Sequence, residues 1–86
     1  MAETKPKLML VDCGDIYHRL GICYAQIKRW NDGIKSYANA LKEYRKNDMN
    51  IKFAECLNNL GTLYLTACKI EQAEQCFLHS YEIKKS

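Results

Sequence analysis

Apolar residues recur at steps of three and four residues in four separate stretches of the chain. The stretches cover residues 11–27, 34–44, 51–67 and 73–83, and polar residues fill most of the positions between the apolar ones. This spacing places the apolar side chains of each stretch on one face of a helix. No stretch sustains a two-residue alternation, so the pattern predicts four amphipathic helices and no β-strand. The helices are expected to pack as antiparallel pairs with short connections.

The apolar faces and the breaks between the helices can be assigned to particular residues. The faces of the four helices are expected to include, in chain order, Val11, Ile16, Leu20, Cys23, Tyr24 and Ile27; Ile34, Tyr37, Ala38, Leu41 and Tyr44; Ile51, Phe53, Leu57, Leu60 and Leu63; and Ala73, Cys76, Phe77, Tyr81 and Ile83. The first break falls at residues 28–32, where Asn31 or Asp32 is expected to cap the second helix. That helix is expected to end near residues 46–48, in a basic last turn.

The chain contains an internal repeat. The segment Leu-Gly-Ile-Cys-Tyr at residues 20–24 recurs as Leu-Gly-Thr-Leu-Tyr at residues 60–64, so equivalent residues differ by 40 in number. The same offset aligns Tyr37 with Phe77 and Asp15 with Glu55. Each copy therefore contains two of the predicted helices, and the fold is a pair of helical repeats.

Size, composition and charge narrow the class of protein. The 86 residues suit one small domain or a piece of a larger one. The net charge of +3 is mild and the basic residues are scattered, so nucleic-acid binding is not expected. Apolar runs such as residues 8–11 are far shorter than the roughly 18 residues of a membrane span. Residues 1–7 lack the apolar core of a signal peptide, and the protein is expected to be cytoplasmic.

The repeated residues resemble the tetratricopeptide repeat, whose pattern places Leu-Gly and then Tyr in the first helix and small and aromatic residues in the second. The matching residues are Tyr17, Leu20, Gly21, Tyr24, Gly33, Tyr37 and Ala40 in the first copy, and Leu57, Leu60, Gly61, Tyr64, Ala73, Phe77 and Ser80 in the second. The resemblance covers residues 8–86, and the repeat is longer than the usual 34 or so residues. It implies a short right-handed α-solenoid made of two antiparallel helix pairs.

The expected organisation is a flexible tail at residues 1–7, a first repeat at 8–47 and a second at 48–86. The resemblance implies a non-catalytic module that binds a protein or a peptide on the concave side, which the first helix of each pair lines. The corresponding contact positions are Asp15, His18, Arg19, Ile22, Ala25 and Gln26 in the first copy, and Glu55, Asn58, Asn59, Thr62, Leu65 and Thr66 in the second.

Among these positions Asn58 and Asn59 are of most interest, because a side-chain amide can both donate to and accept from a peptide backbone. The subtype that clamps an acidic peptide terminus with basic residues is disfavoured. The positions at which that subtype carries its clamp residues include Asp15 and Glu55 in this chain, and these would repel a carboxylate.

Other chemistry finds little support in the sequence. The sequence contains no Cys-x-x-Cys motif, and the nearest pair of metal-binding residue types is Cys76 with His79. No metal and no cofactor are therefore expected. The two histidines, His18 and His79, have no evident catalytic partner. The five cysteines, an odd number without a signal peptide, are expected to be free thiols buried in a helical core.

Two alternative functions stay open. The chain fits a fragment of a peptide-sensing regulatory protein, or a self-assembling structural element whose ends make the contacts. Two repeats are fewer than the three that an independent array usually needs. An exposed apolar end is therefore expected, and with it a homo-oligomer or a fragment of a longer repeat array.

Overall fold

The computed structural model describes residues 12–85, and the expected tail at residues 1–7 and Val11 lie outside this range. The described residues form four helices and no strand: α1 (Cys13–Gln26), α2 (Trp30–Lys46), α3 (Asn50–Thr66) and α4 (Ile70–Lys85). Contacts are densest between α1 and α2 and between α3 and α4, and α2 packs on α3. This confirms the predicted all-α solenoid of two helix pairs.

The three turns between the helices share one backbone geometry. Lys28, Asp48 and Cys68 have φ values of 65°, 56° and 65°, in the left-handed region. After α1, the amide of Arg29 donates to the carbonyl of Tyr24 at 2.9 Å, and that of Lys28 donates to Ala25 at 3.1 Å. These paired bonds form a Schellman motif, which satisfies the last carbonyls of the helix and reverses the chain.

The starts of the helices differ from the sequence-based expectation. The prediction that Asn31 or Asp32 caps α2 was wrong, because α2 begins at Trp30 and Arg29 holds the cap position without a side-chain bond. Asp32 instead pairs with Arg29 across the first turn. At α1, Asp12 is a true cap whose carboxylate accepts from the amide of Gly14 at 2.9 Å.

Glycines allow the helices of each pair to approach closely. A Cβ atom at Gly21 would lie 2.6 Å from the Tyr37 ring, and one at Gly61 would lie 2.8 Å from the Phe77 ring. Both distances are well below an ordinary carbon–carbon contact. The repeated Leu-Gly motif is thus explained by packing, since an aromatic ring of the second helix occupies the space of the missing side chain.

The buried core lies mainly between α2 and α3, and Ala40, Tyr44 and Cys56 are almost fully enclosed there. Ser80, which replaces the alanine usual in the repeat, is also buried, and its hydroxyl donates to the carbonyl of Ala54 at 2.9 Å. This bond satisfies the buried hydroxyl, so serine is accommodated without an unpaired polar group.

Several residues assigned to apolar faces are exposed instead. The exposed large side chains include Ile16, Leu20 and Ile27 of the first pair, Ile51 of α3 and Tyr81 of α4. The prediction that all the cysteines are buried was also wrong, since the three cysteines Cys13, Cys23 and Cys68 are exposed. Periodicity identifies an apolar face, but burial requires a neighbouring element that covers it.

Candidate partner-binding groove

A groove of about 320 Å³ lies between α1 and α3, with Tyr37 of α2 beneath it. The groove is lined by three residues from each of the two helices, namely Ile22, Ala25 and Gln26, and Asn59, Thr62 and Leu63. Five of these residues belong to the contact positions expected from the repeat pattern, and Leu63 is the exception. The structure therefore brings together the middle of the expected binding surface.

A hydrogen-bonded network adjoins this groove and joins α1, α2 and α3. The Tyr44 hydroxyl donates to Asp15 Oδ1 at 2.6 Å, and Lys52 Nζ lies 3.0 Å from Asp15 Oδ2. The bond from Tyr44, together with Lys52, lowers the pKa of Asp15. Burial and the adjacent Asp15 carboxylate raise the pKa of Tyr44. Asp15 is thus an ionised acceptor held in place by two other helices.

His18 continues the network towards α3. Its Nδ1 atom lies 3.2 Å from the Tyr44 hydroxyl, and its Nε2 atom lies 2.8 Å from Asn59 Nδ2. Because the Tyr44 hydrogen is committed to Asp15, Nδ1 of His18 must be the donor to the Tyr44 oxygen. Nε2 is then the acceptor from Asn59. The network therefore assigns a neutral imidazole protonated at Nδ1.

Burial lowers the pKa of His18, while Asp15 and Glu55 oppose the shift and Lys52 adds to it. Protonation at Nε2 would place two donors against each other at the bond with Asn59, so the neutral form fits the observed geometry. The same bond fixes the orientation of the Asn59 amide, whose remaining hydrogen and carbonyl oxygen are the groups it can offer to the groove.

The remaining expected contact residues lie outside the groove. Arg19, Glu55, Asn58 and Leu65 are exposed. At 100° per residue, Asn58 projects from a different side of α3 than Asn59 does, away from the helix that bonds Asn59. The Asn58 carbonyl accepts from the Thr62 hydroxyl at 3.1 Å. Of the two asparagines, only Asn59 lines the groove.

Sequence reasoning missed two members of the network. Tyr44 was assigned only to the apolar face of α2, although a buried tyrosine normally needs a partner for its hydroxyl. Lys52 carried no signal, because its approach to Asp15 depends on how α3 packs beside α1. Asp15 and His18 were expected as contact positions, but the network shows that both also join the helices.

A second groove, of about 420 Å³, opens elsewhere on the surface. Its floor contains Phe53 and Leu57, and Lys42, Arg45 and His79 stand around it. The Arg45 guanidinium lies 5.4 Å from the centre of the Phe53 ring, a cation–π distance. Phe53 and Leu57 are themselves largely covered.

The pair considered for metal binding has other roles. Cys76 is buried, which raises the pKa of its thiol, and His79 packs edge-on against Phe53 with ring centres 5.6 Å apart. Within residues 12–85 no group of three or more metal-binding side chains comes together. In the same part of the chain no helix is both long and apolar enough to cross a membrane.

Comparison with known proteins identifies the family of this chain. Neither the curated proteins nor the solved structures gave a significant match. The family model described as Tetratricopeptide repeat matches residues 12–86, which include all four helices and the groove between α1 and α3. The chain therefore belongs to the tetratricopeptide repeat family.

Proposed function

We propose that this chain binds an extended segment of a partner protein in the groove between α1 and α3. Family membership supports the broader class, a protein-interaction repeat module. The observation that carries the finer proposal is the lining of the groove, where exposed amide and hydroxyl groups stand beside apolar side chains. Such a surface can hold a peptide backbone by hydrogen bonds and an apolar side chain by burial.

The hydrogen-bonding groups of the groove suit a peptide backbone. Asn59 and Gln26 each carry a side-chain amide, which both donates and accepts and so matches the alternating groups of an extended peptide. The hydrogen bond to His18 already restricts the Asn59 side chain, so this side chain loses less conformational entropy when a partner binds. Ile22, which is 38% exposed, offers apolar surface for a partner side chain.

The charges near the groove favour neutral or basic segments over acidic ones. Asp15 of α1 is ionised and partly neutralised by Lys52, whereas Glu55 of α3 is exposed, four residues before Asn59. A partner carboxylate in this region would meet two acidic residues, and a partner lysine or arginine would be attracted to them. We also propose a reducing compartment such as the cytoplasm, which the free exposed cysteines favour.

The proposal is tested by selecting binders from a library of random peptides displayed on phage and measuring their affinity by calorimetry. The variant Asn59→Ala removes the central amide, and Ile22→Glu places a charge on the apolar wall. Each is expected to weaken binding about tenfold or more, in line with losing one buried contact of the interface.

The matched control is Asn39→Ala, which removes an exposed asparagine from α2 and not from the groove. It is expected to bind the selected peptides as the wild type does. If Asn59→Ala and Ile22→Glu both kept full affinity for every selected peptide, the groove would not be the binding site. A preference of the selected peptides for acidic residues would contradict the charge argument.

A further inference from the structure

The outer face of α1, formed by Cys13, Ile16, Leu20 and Cys23, is apolar and exposed. Ile16 is 47% exposed and Leu20 is 41% exposed. The four residues are spaced by three and four positions, so they form one stripe along the helix. The stripe lies away from Gly14 and Gly21, the buried residues through which α1 packs on α2.

The internal repeat shows what kind of surface covers such a stripe. The equivalent residues of α3, 40 positions later, are Phe53, Cys56, Leu60 and Leu63, and all four are buried. Their cover is α2. The Cys56 thiol lies 3.7 Å from the Tyr37 carbonyl, and Leu63 would lie 3.0 Å from a Cβ atom placed at Gly33. A stripe of this composition is therefore buried by the outer side of a second helix of a repeat.

The second helix of the other repeat is α4, and its outer face is exposed. This face, formed by Leu78, Tyr81 and Lys85, is equivalent to Ala38, Leu41 and Arg45 of α2, which line a cavity with Phe53 and Leu57 of α3. Leu78 is 61% exposed and Tyr81 is 62% exposed. Within residues 12–85, α1 and α4 thus each present one half of the contact that α2 and α3 make between them.

One pair of opposite charges also meets in the same register. Asn31 of α2 and Lys69 after α3 line one cavity, and their equivalents are Glu71 of α4 and Arg29 after α1. A copy of the α2–α3 contact would bring Glu71 beside Arg29. Opposite charges therefore meet at this edge, in the same cavity as the like pair that Lys69 of one copy makes with Arg29 of the next. At the other end of the stripe the copied contact would bring Lys85 over Cys13, because Arg45 lies over Phe53 in the existing contact.

We propose that this chain associates head to tail with further copies of itself, the outer face of α4 in one copy packing on the outer face of α1 in the next. The packing repeats the contact between α2 and α3. A contact between two different faces leaves one free face at each end of the pair, so it generates open chains of increasing length rather than closed dimers. The proposal uses sides of the molecule other than the groove and stands independently of it.

The experiment is light scattering behind size exclusion over a range of concentrations. The wild-type mass is expected to rise with concentration past twice the monomer mass of 10.0 kDa. Ile16→Glu blocks the outer face of α1, Tyr81→Glu blocks that of α4, and each is expected to stay a monomer. An equal mixture of the two variants retains one intact face of each kind and is expected to form a dimer and nothing larger.

The control is Ile51→Glu, which places the same charge at an isoleucine that is 75% exposed and belongs to neither outer face. This variant is expected to associate as the wild type does. Circular dichroism checks that each variant keeps its helix content, and Ile16→Ser and Tyr81→Ser provide milder substitutions if it does not.

A wild type that stays monomeric at every concentration overturns the proposal. This result is also the one expected if another part of the same chain covers the outer face of α1. A mixture of Ile16→Glu and Tyr81→Glu that stays monomeric also overturns it. Continued association by either single variant shows that copies pair through like faces, which contradicts the head-to-tail arrangement.

Discussion

Replacing Gly21 with alanine tests how closely α1 approaches α2. The new Cβ atom would lie 2.6 Å from two carbons of the Tyr37 ring. Favourable contacts between carbon atoms lie at about 3.5–4.0 Å, so the ring or the helix must move by roughly 1 Å. Tyr37 is only 3% exposed, and its ring cannot turn away without disturbing the rest of the core.

Two opposing terms set the size of the effect. Overpacking a core costs about 1–3 kcal/mol, while replacing glycine by alanine inside a helix gains about 1 kcal/mol. Gly21→Ala is therefore expected to lower the free energy of unfolding by about 1 kcal/mol. Urea unfolding followed by far-ultraviolet circular dichroism measures it. All proteins are compared at one concentration, because self-association raises apparent stability.

Gly33→Ala is the matched control, because it is the same substitution in a less constrained place. Its Cβ atom would lie 3.0 Å from one terminal methyl of Leu63, and a flexible methyl can shift by a few tenths of an ångström. The helix preference of alanine then dominates, and a gain of about 0.5 kcal/mol is expected. A Gly21→Ala protein as stable as Gly33→Ala would refute the reasoning about close approach.

Three further outcomes follow from the network and the turns. Burial lowers the pKa of His18 below 6.5, so the unfolded chain takes up a proton more readily. The free energy of unfolding should therefore fall as the pH drops through 6.5, and His18→Gln should flatten that part of a series of urea unfolding curves. Tyr44→Phe removes the hydrogen bond that contributes most to lowering the pKa of Asp15. It should move this pKa upward in an NMR titration and destabilise the fold by about 1–2 kcal/mol. Cys68 has a φ of 65°. Cys68→Gly should raise the free energy of unfolding by about 0.5 kcal/mol, whereas Cys68→Ala, which keeps the strain, should not.

The elements of the fold could be predicted because local physics determines them. Four helices follow from the three- and four-residue spacing, and the close pairing follows from Gly21 and Gly61 opposite an aromatic ring. The caps could not be predicted in the same way. The turns depend on left-handed residues such as Lys28 and Asp48, which carry no glycine signal in the sequence.

The candidate site was only partly predictable for a related reason. The repeat pattern places Ile22, Gln26, Asn59 and Thr62 on one surface, and in the structure these four residues line a groove. The repeat pattern does not reveal the hydrogen bond between His18 and Asn59. This bond joins residues far apart in the chain and depends on the offset between α1 and α3. The exposure of Ile16 was not predicted, because the spacing of apolar residues does not indicate whether another element packs on the apolar face.

The most direct test of the proposed function is to map a bound peptide by NMR on the isotopically labelled protein. Titration with a peptide from the displayed library should shift the amide signals of Ile22, Gln26, Asn59 and Thr62 more than those elsewhere. The side-chain amide of Asn59 should move with them. Shifts confined to Lys42 and Arg45 around the second groove, or to the outer faces of α1 and α4, would contradict the assignment of the groove between α1 and α3 as the binding site.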